Sequence, residues 1–134
     1  MEKIGLLFGS FNPVHKGHIS IAKHVLDKQK LSKVFFILSP LNPFKIESKN
    51  ILLDADHRYE ILKIAIKKYK NMIPSDIEFG MKKPNYTFET LTKLENIFPK
   101  KTFYLIMGSD NFKYFNKWKN YKKILTKYKI LIYP

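Results

Sequence analysis

Uninterrupted apolar runs limit what this chain can fold into more than any other feature. Val34-Phe35-Phe36-Ile37-Leu38 and Phe103-Tyr104-Leu105-Ile106-Met107 lack the polar alternation of a half-solvated strand, and the run from Ile4 to Phe8 reads the same way. A strand with no polar face is buried on both sides, which is the condition of a parallel sheet covered by helices. Helical spacing separates these runs. Ile19, Ala22, Val25 and Leu26 form one stripe that continues to about Gln29, with His24 off the face and solvated. Arg58, Ile61, Leu62, Ala65 and Tyr69 share the inner face of a helix beginning at Asp54 or Asp56. Leu91, Leu94 and Phe98 form a third stripe, with Asn85 or Thr87 as N-cap and Glu89 in the first turn. Ile73 to Phe79 reads as a short strand and Lys129 to Tyr133 as a fifth. Strands alternating with helices imply crossover connections and an α/β sheet with helices on both faces. The 134 residues, without internal repeat or low-complexity linker, suffice for one domain spanning 1–134.

In such a sheet ligands bind beyond the carboxyl ends of the strands, where the winding reverses. Two strand ends here carry glycine turns, Gly9-Ser10-Phe11 and Gly108-Ser109-Asp110. The first belongs to the string Gly9-Ser10-Phe11-Asn12-Pro13-Val14-His15-Lys16-Gly17-His18, which ends a strand and opens a helix. Free backbone N–H groups and the positive end of the helix dipole make that junction an anion site. Gly9 is expected to let a ligand approach the main chain, and Pro13 to set the helix entry. His15 and His18, three apart, share one face of the first turn and are placed as donors to a phosphate. No third ligand at helical spacing supports a metal site there. Lys45 lies in a loop stiffened by Pro40 and Pro43 and can reach a phosphate. Trp118, the sole tryptophan, sits among Asn116, Lys117, Lys119 and Asn120, where a flat aromatic suits a pyridinium-type ring.

Cysteine is absent, which excludes disulfides and thiolate metal sites. Met1-Glu2-Lys3 leads directly into Ile4, and no apolar run reaches membrane-spanning length, so a cytoplasmic protein is expected. The formal net charge of +14 raises nucleic acid as a partner. Against that, Arg58 is the only arginine among 25 basic residues, whereas base and phosphate readers favour arginine. The lysines are scattered over every predicted helix. Their field attracts anionic substrates; nucleic acid is not the expected partner.

The string Gly9-Ser10-Phe11-x-Pro13-x-His15-x-Gly17-His18 resembles the signature of nucleotidylyltransferases with a Rossmann-like α/β fold. Beyond it, nearly the whole chain is similar to the bacterial nicotinate-nucleotide adenylyltransferase family. Pro40-Leu41-Asn42-Pro43-Phe44-Lys45 resembles the family's proline-rich phosphate loop, with Phe44 where a histidine usually stands. Asn85-Tyr86-Thr87-Phe88-Glu89-Thr90-Leu91 resembles the Tyr-Thr segment whose main chain receives the nicotinate carboxylate. Ile106 to Asn111 and Phe115 to Lys119 resemble the stretch whose aspartate serves ATP and whose tryptophan stacks on the pyridine ring.

The resemblance implies adenylyl transfer from ATP to nicotinate mononucleotide, with Mg²⁺ carried on the ATP phosphates. It assigns His15 and His18 to catalysis, and Gly9, Ser10, Phe11, His15, His18, Lys45, Gly108 and Asp110 to ATP. Ser10, Lys45, Tyr86, Thr87 and Trp118 fall to the mononucleotide; no metal ligand is implied. The family's Ser-Ser-Thr turn and following arginine do not occur before Pro134. On this comparison the fold is C-terminally short and the triphosphate site incomplete. Two other readings compete: a nucleotidylyltransferase for pantetheine phosphate or a cytidylyl acceptor, and a non-catalytic nucleotide- or RNA-binding remnant. Pantetheine enzymes usually carry threonine at the position of His15 and lack the Tyr86, Thr87 and Trp118 set.

Overall fold

The computed structural model describes residues 2–40 and 53–134. Five parallel strands make the sheet: β1 (Glu2–Gly9), β2 (Lys33–Leu38), β3 (Met72–Ser75), β4 (Lys101–Gly108) and β5 (Lys129–Tyr133). Their order is β3-β2-β1-β4-β5, so the winding reverses between β1 and β4. The helices are α1 (Lys16–Lys28), α2 (Ala55–Ile66), α3 (Thr87–Ile97), the single turn α4 (Ser109–Phe112) and α5 (Tyr121–Lys127).

The uninterrupted apolar runs divide residue by residue between two cores, because successive side chains on a strand point to opposite faces. Leu7, Val34, Phe36, Leu38, Tyr104 and Ile106 pack with Ala22 and Val25 of α1 and Leu62 and Ile66 of α2. Ile4, Leu6, Phe35, Ile37, Phe103, Leu105 and Met107 pack with Leu91 and Leu94 of α3 and Ile124 of α5. Helices therefore cover both faces, as the lack of alternation requires. At roughly 1.5–3 kcal/mol for each fully buried large side chain, the two layers are what hold the helices on the sheet.

Three local expectations change. The strand expected over Ile73 to Phe79 stops at Ser75 and gives way to a 3₁₀ turn over Ile77–Gly80. The Ser75 hydroxyl accepts from the Ile77 N–H at 3.3 Å, which bends the chain out of the sheet. The α3 N-cap is Tyr86, not Asn85 or Thr87. Asn85 is buried, its Nδ2 donating back to the Glu78 carbonyl at 3.2 Å, so its side chain holds the preceding turn. On α2 the inner face is Arg58, Leu62 and Ile66, while Ile61 stands 37% exposed.

Candidate active site

The β1–β4 pairing runs to Leu7 opposite Ile106, two residues short of Gly9 and Gly108 on their strands. The two glycine-bearing strand ends therefore lie side by side at the reversal. The Ser39 N–H donates to the Gly9 carbonyl at 2.9 Å and ties the end of β2 to the same edge.

The left-handed residue in the first turn is Phe11, with φ 45°, whereas no described glycine has positive φ. For a side chain other than glycine this conformation costs about 1–2 kcal/mol. It folds the Phe11 ring back over Gly9, where an added Cβ would meet the ring at 2.9 Å. The ring is buried and packs on Phe36, with centroids 5.7 Å apart, and edge-on against His18 at 5.0 Å. The absence of a Cβ at Gly9 makes room for the Phe11 ring. Phe11 offers a ligand its backbone only, and its ring supports His18 from beneath.

The start of α1 also differs from the open anion site expected. His15 is the N-cap, and its Nδ1 accepts from the Gly17 N–H at 3.1 Å. His18 reciprocates, its Nδ1 accepting from the His15 N–H at 3.1 Å. This is a capping box built from two imidazoles in place of the usual Ser/Thr and Glu. A Cβ at 17 would meet the His15 ring at 2.8 Å, so glycine there leaves the capping ring undisturbed. The rings lie 3.9 Å apart at 32°. Two of the backbone donors thought free are occupied. Accepting at Nδ1 fixes the proton of the uncharged ring on Nε2, so the site's donors are imidazole Nε2–H groups. His18 is held uncharged: burial, then the neighbouring His15, lowers its pKa from 6.5 to about 4.

The other half of the crevice lies at the start of α3. Tyr86 makes no side-chain cap bond, so the first turn of α3 keeps backbone donors that α1 has given to its histidines. Lys119 joins this turn to the segment carrying Trp118. Its ammonium lies 2.7 Å from Glu89 Oε1 and 4.8 Å above the Tyr86 ring. Trp118 is half-buried against Phe115, centroids 5.2 Å apart. The structure thus brings Tyr86, Thr87 and Trp118 to one wall. Gly108 ends β4 as the N-cap of α4, with Asp110 exposed in that turn. Lys45 lies outside the described residues. Sequence reasoning singled out neither Tyr133, whose ring a Cβ at Gly108 would meet at 3.3 Å, nor Asn12, whose Oδ1 accepts from the Leu53 N–H at 2.9 Å; it placed Arg58 on the inner face of α2, where it is buried, but gave it no part at this edge. The uncommon arginine was the one available signal.

The sequence matches the cytidylyltransferase-like family over residues 6–134. It is 46% identical to a nicotinate-nucleotide adenylyltransferase of Flavobacterium psychrophilum, over 98% of this chain and 67% of that protein. The chain belongs to the nicotinate-nucleotide adenylyltransferase family. A structure assigned to this family from Vibrio parahaemolyticus aligns with TM-score 0.81 and 25% identity, over 100% of this chain and 74% of that one. The Plasmodium falciparum nicotinic acid mononucleotide adenylyltransferase complexed with NaAD shares the fold, with TM-score 0.78 and 17% identity over 99% of this chain and 75% of that one. Among the described residues no helix is long and apolar enough to cross a membrane.

Proposed function

We propose that this crevice transfers the adenylyl group of ATP to nicotinate mononucleotide, giving nicotinate adenine dinucleotide and pyrophosphate. Family membership supplies the reaction. The paired imidazoles at the start of α1 are the observation that carries the assignment of residues. A mononucleotide phosphate, with its second pKa near 6, is already ionised at neutral pH. Its oxygen attacks the α-phosphorus, a new P–O bond forms, and the bond to the departing pyrophosphate breaks. No general base is required, so the residues act by positioning and charge stabilisation.

His18 stays uncharged at neutral pH and donates from Nε2 to the phosphoryl oxygens as charge moves onto them; His15 supports the same oxygens. Gly9, Ser10 and Phe11 contribute the turn, and Gly108 and Asp110 the neighbouring strand end toward ATP. The uncapped start of α3, with Tyr86 and Thr87, receives the nicotinate carboxylate, and Trp118 covers the pyridine ring. Among the described residues no cluster of three or more His, Cys, Asp or Glu could hold a metal. The divalent cation, Mg²⁺, is assigned to the ATP phosphates and water on the strength of the reaction class. The reading places the chain in the cytoplasm as one domain over 1–134.

Incubation with ATP and nicotinate mononucleotide, followed for dinucleotide and pyrophosphate together, tests the proposal. Parallel reactions with pantetheine phosphate as acceptor and a single-stranded RNA titration supply the contrasts. Product with the nicotinate acceptor is expected. Transfer only to pantetheine phosphate, or RNA binding without transfer, would replace this reading.

A further inference from the structure

Arg58 is buried at 2% exposure, although no carboxylate pairs with it at ion-pair distance among the described residues. All its observed bonds go to main-chain carbonyls. Nε donates to Leu53 at 2.8 Å, Nη1 to Ser10 at 2.8 Å and to Ser39 at 3.3 Å, and Nη2 to Pro40 at 3.0 Å. Burying a cation without an anion is unfavourable, and an apolar side chain of similar volume would fill α2's inner face more cheaply. The guanidinium is therefore explained by what it holds. Ser10 follows β1, Ser39 and Pro40 follow β2, and Leu53 precedes α2 and its N-cap Asp54. All lie on the carboxyl edge where the crevice opens.

The Ser10 carbonyl matters most. It belongs to the peptide plane whose nitrogen is Phe11's own, so fixing that oxygen fixes the plane against which φ of Phe11 is measured. Phe11 sits at φ 45°, a conformation that persists only where its surroundings over-determine it. Its ring then lies 5.0 Å from that of His18. A chain of contacts thus runs from Arg58 through the Ser10 peptide and the Phe11 ring to His18.

We propose that Arg58 is a positioning residue for adenylyl transfer, holding the Ser10 peptide and through it Phe11 and His18 in the geometry that receives the reacting phosphate. The inference rests on the adenylyl-transfer reading above. Lysine keeps the charge but gathers three donors on one compact ammonium in place of a planar fork, and cannot match the spread of these four carbonyls. The test compares Arg58→Lys and Arg58→Met with the unaltered chain by steady-state kinetics, calorimetry with ATP and with nicotinate mononucleotide, and NMR titration of His18.

For folded Arg58→Lys we expect kcat to fall roughly tenfold or more, as for small misplacements of reacting groups, with the mononucleotide KM little changed. The His18 midpoint should move up from about 4 toward 6.5. A folded variant with unchanged kcat, ATP affinity and His18 midpoint would overturn the inference and leave Arg58 a packing residue. If neither variant folds, the unaltered chain still decides. Arg58 is its only arginine, so its Nε–H gives the sole arginine side-chain signal. That signal should be protected from exchange and should shift on adding ATP; one that stays put under saturating ATP overturns the inference. An unaltered chain that binds neither ATP nor the mononucleotide would defeat the functional reading, and this inference with it.

Discussion

The two nitrogens of the His18 ring part company. Nδ1 accepts from the His15 backbone, and the proposed adenylyl transfer gives Nε2–H to the substrate. Replacing His18 by Ala should lower turnover by roughly 10²–10³-fold, the range for losing one transition-state donor, and turnover within a few-fold of the parent would remove it from the mechanism. Its acid titration is a separate check, with an imidazole midpoint of about 4 expected by NMR. Between 6.5 and about 4 the unfolded chain takes up a proton that the native ring refuses. His18 therefore contributes stability above 6.5 that is lost as pH falls toward 4. His18→Gln should flatten that part of the stability–pH curve. The histidine spacing was legible in the sequence, and so was its phosphate-facing role as an expectation. The mutual capping was not, because a helix N-cap is normally read from Ser, Thr, Asp or Asn, and imidazole is not in that vocabulary. Phe11 was illegible for a similar reason: positive φ is read from glycine, and here the glycine two residues earlier makes room for the ring of a left-handed phenylalanine.

The start of α3 is set by a buried polar cluster that no periodicity announces. Glu78 in the 3₁₀ turn accepts from the Thr90 hydroxyl at 2.7 Å and its carboxylate also takes a side-chain hydrogen bond from Ser39, while the buried Oδ1 of Asn85 has no partner among the described residues. Burial holds the Glu78 carboxyl above its ordinary 4.5. As pH rises past 4.5 the unfolded chain releases this proton first, so the native state binds more protons and stability declines with rising pH. Glu78→Gln keeps an acceptor for Thr90 and removes the titration. It should raise stability by about 1 kcal/mol at pH 8 and by little at pH 4; a loss of Tm at pH 8 would show that the carboxylate is held charged by its surroundings. On the same wall, Trp118→Ala should weaken nicotinate mononucleotide by about 1–2 kcal/mol through lost stacking, with ATP affinity nearly unchanged by calorimetry. Equal losses for both ligands would make Trp118 a packing residue for Phe115. The stripes Ala22–Val25 and Leu91–Leu94 were legible because burial on one face repeats with the helix. The bounds of α3 and β3 were not, because Asn85, Ser75 and Glu78 are fixed by contacts with residues as distant as Ser39.

At the scale of the molecule, three uninterrupted strand segments, alternating with helical stripes, were enough to imply the doubly covered parallel sheet. The strand order was not contained in them. It follows from which helix lands on which face, and it alone places Gly9 beside Gly108. The charge was legible as a number and ambiguous as a meaning. A formal +14 spread over nearly every helix produces a positive field around the whole surface, and the crevice at the reversal lies within it. Attraction of this kind acts over a screening length, about 10 Å at 0.1 M salt and 3 Å at 1 M. ATP, with more charge than a mononucleotide, should feel the loss more. Raising salt across that range should therefore weaken ATP by about tenfold and the mononucleotide by less, whose ring and carboxylate contacts lie at short range. Single-stranded RNA, if it associates at all, should lose affinity far more steeply, since each neutralised phosphate adds to the slope. Calorimetry with the three ligands at both salt concentrations separates these cases. A mononucleotide slope as steep as that of RNA would mean that the lysine surface, and not the wall formed by Tyr86, Thr87 and Trp118, is what binds it.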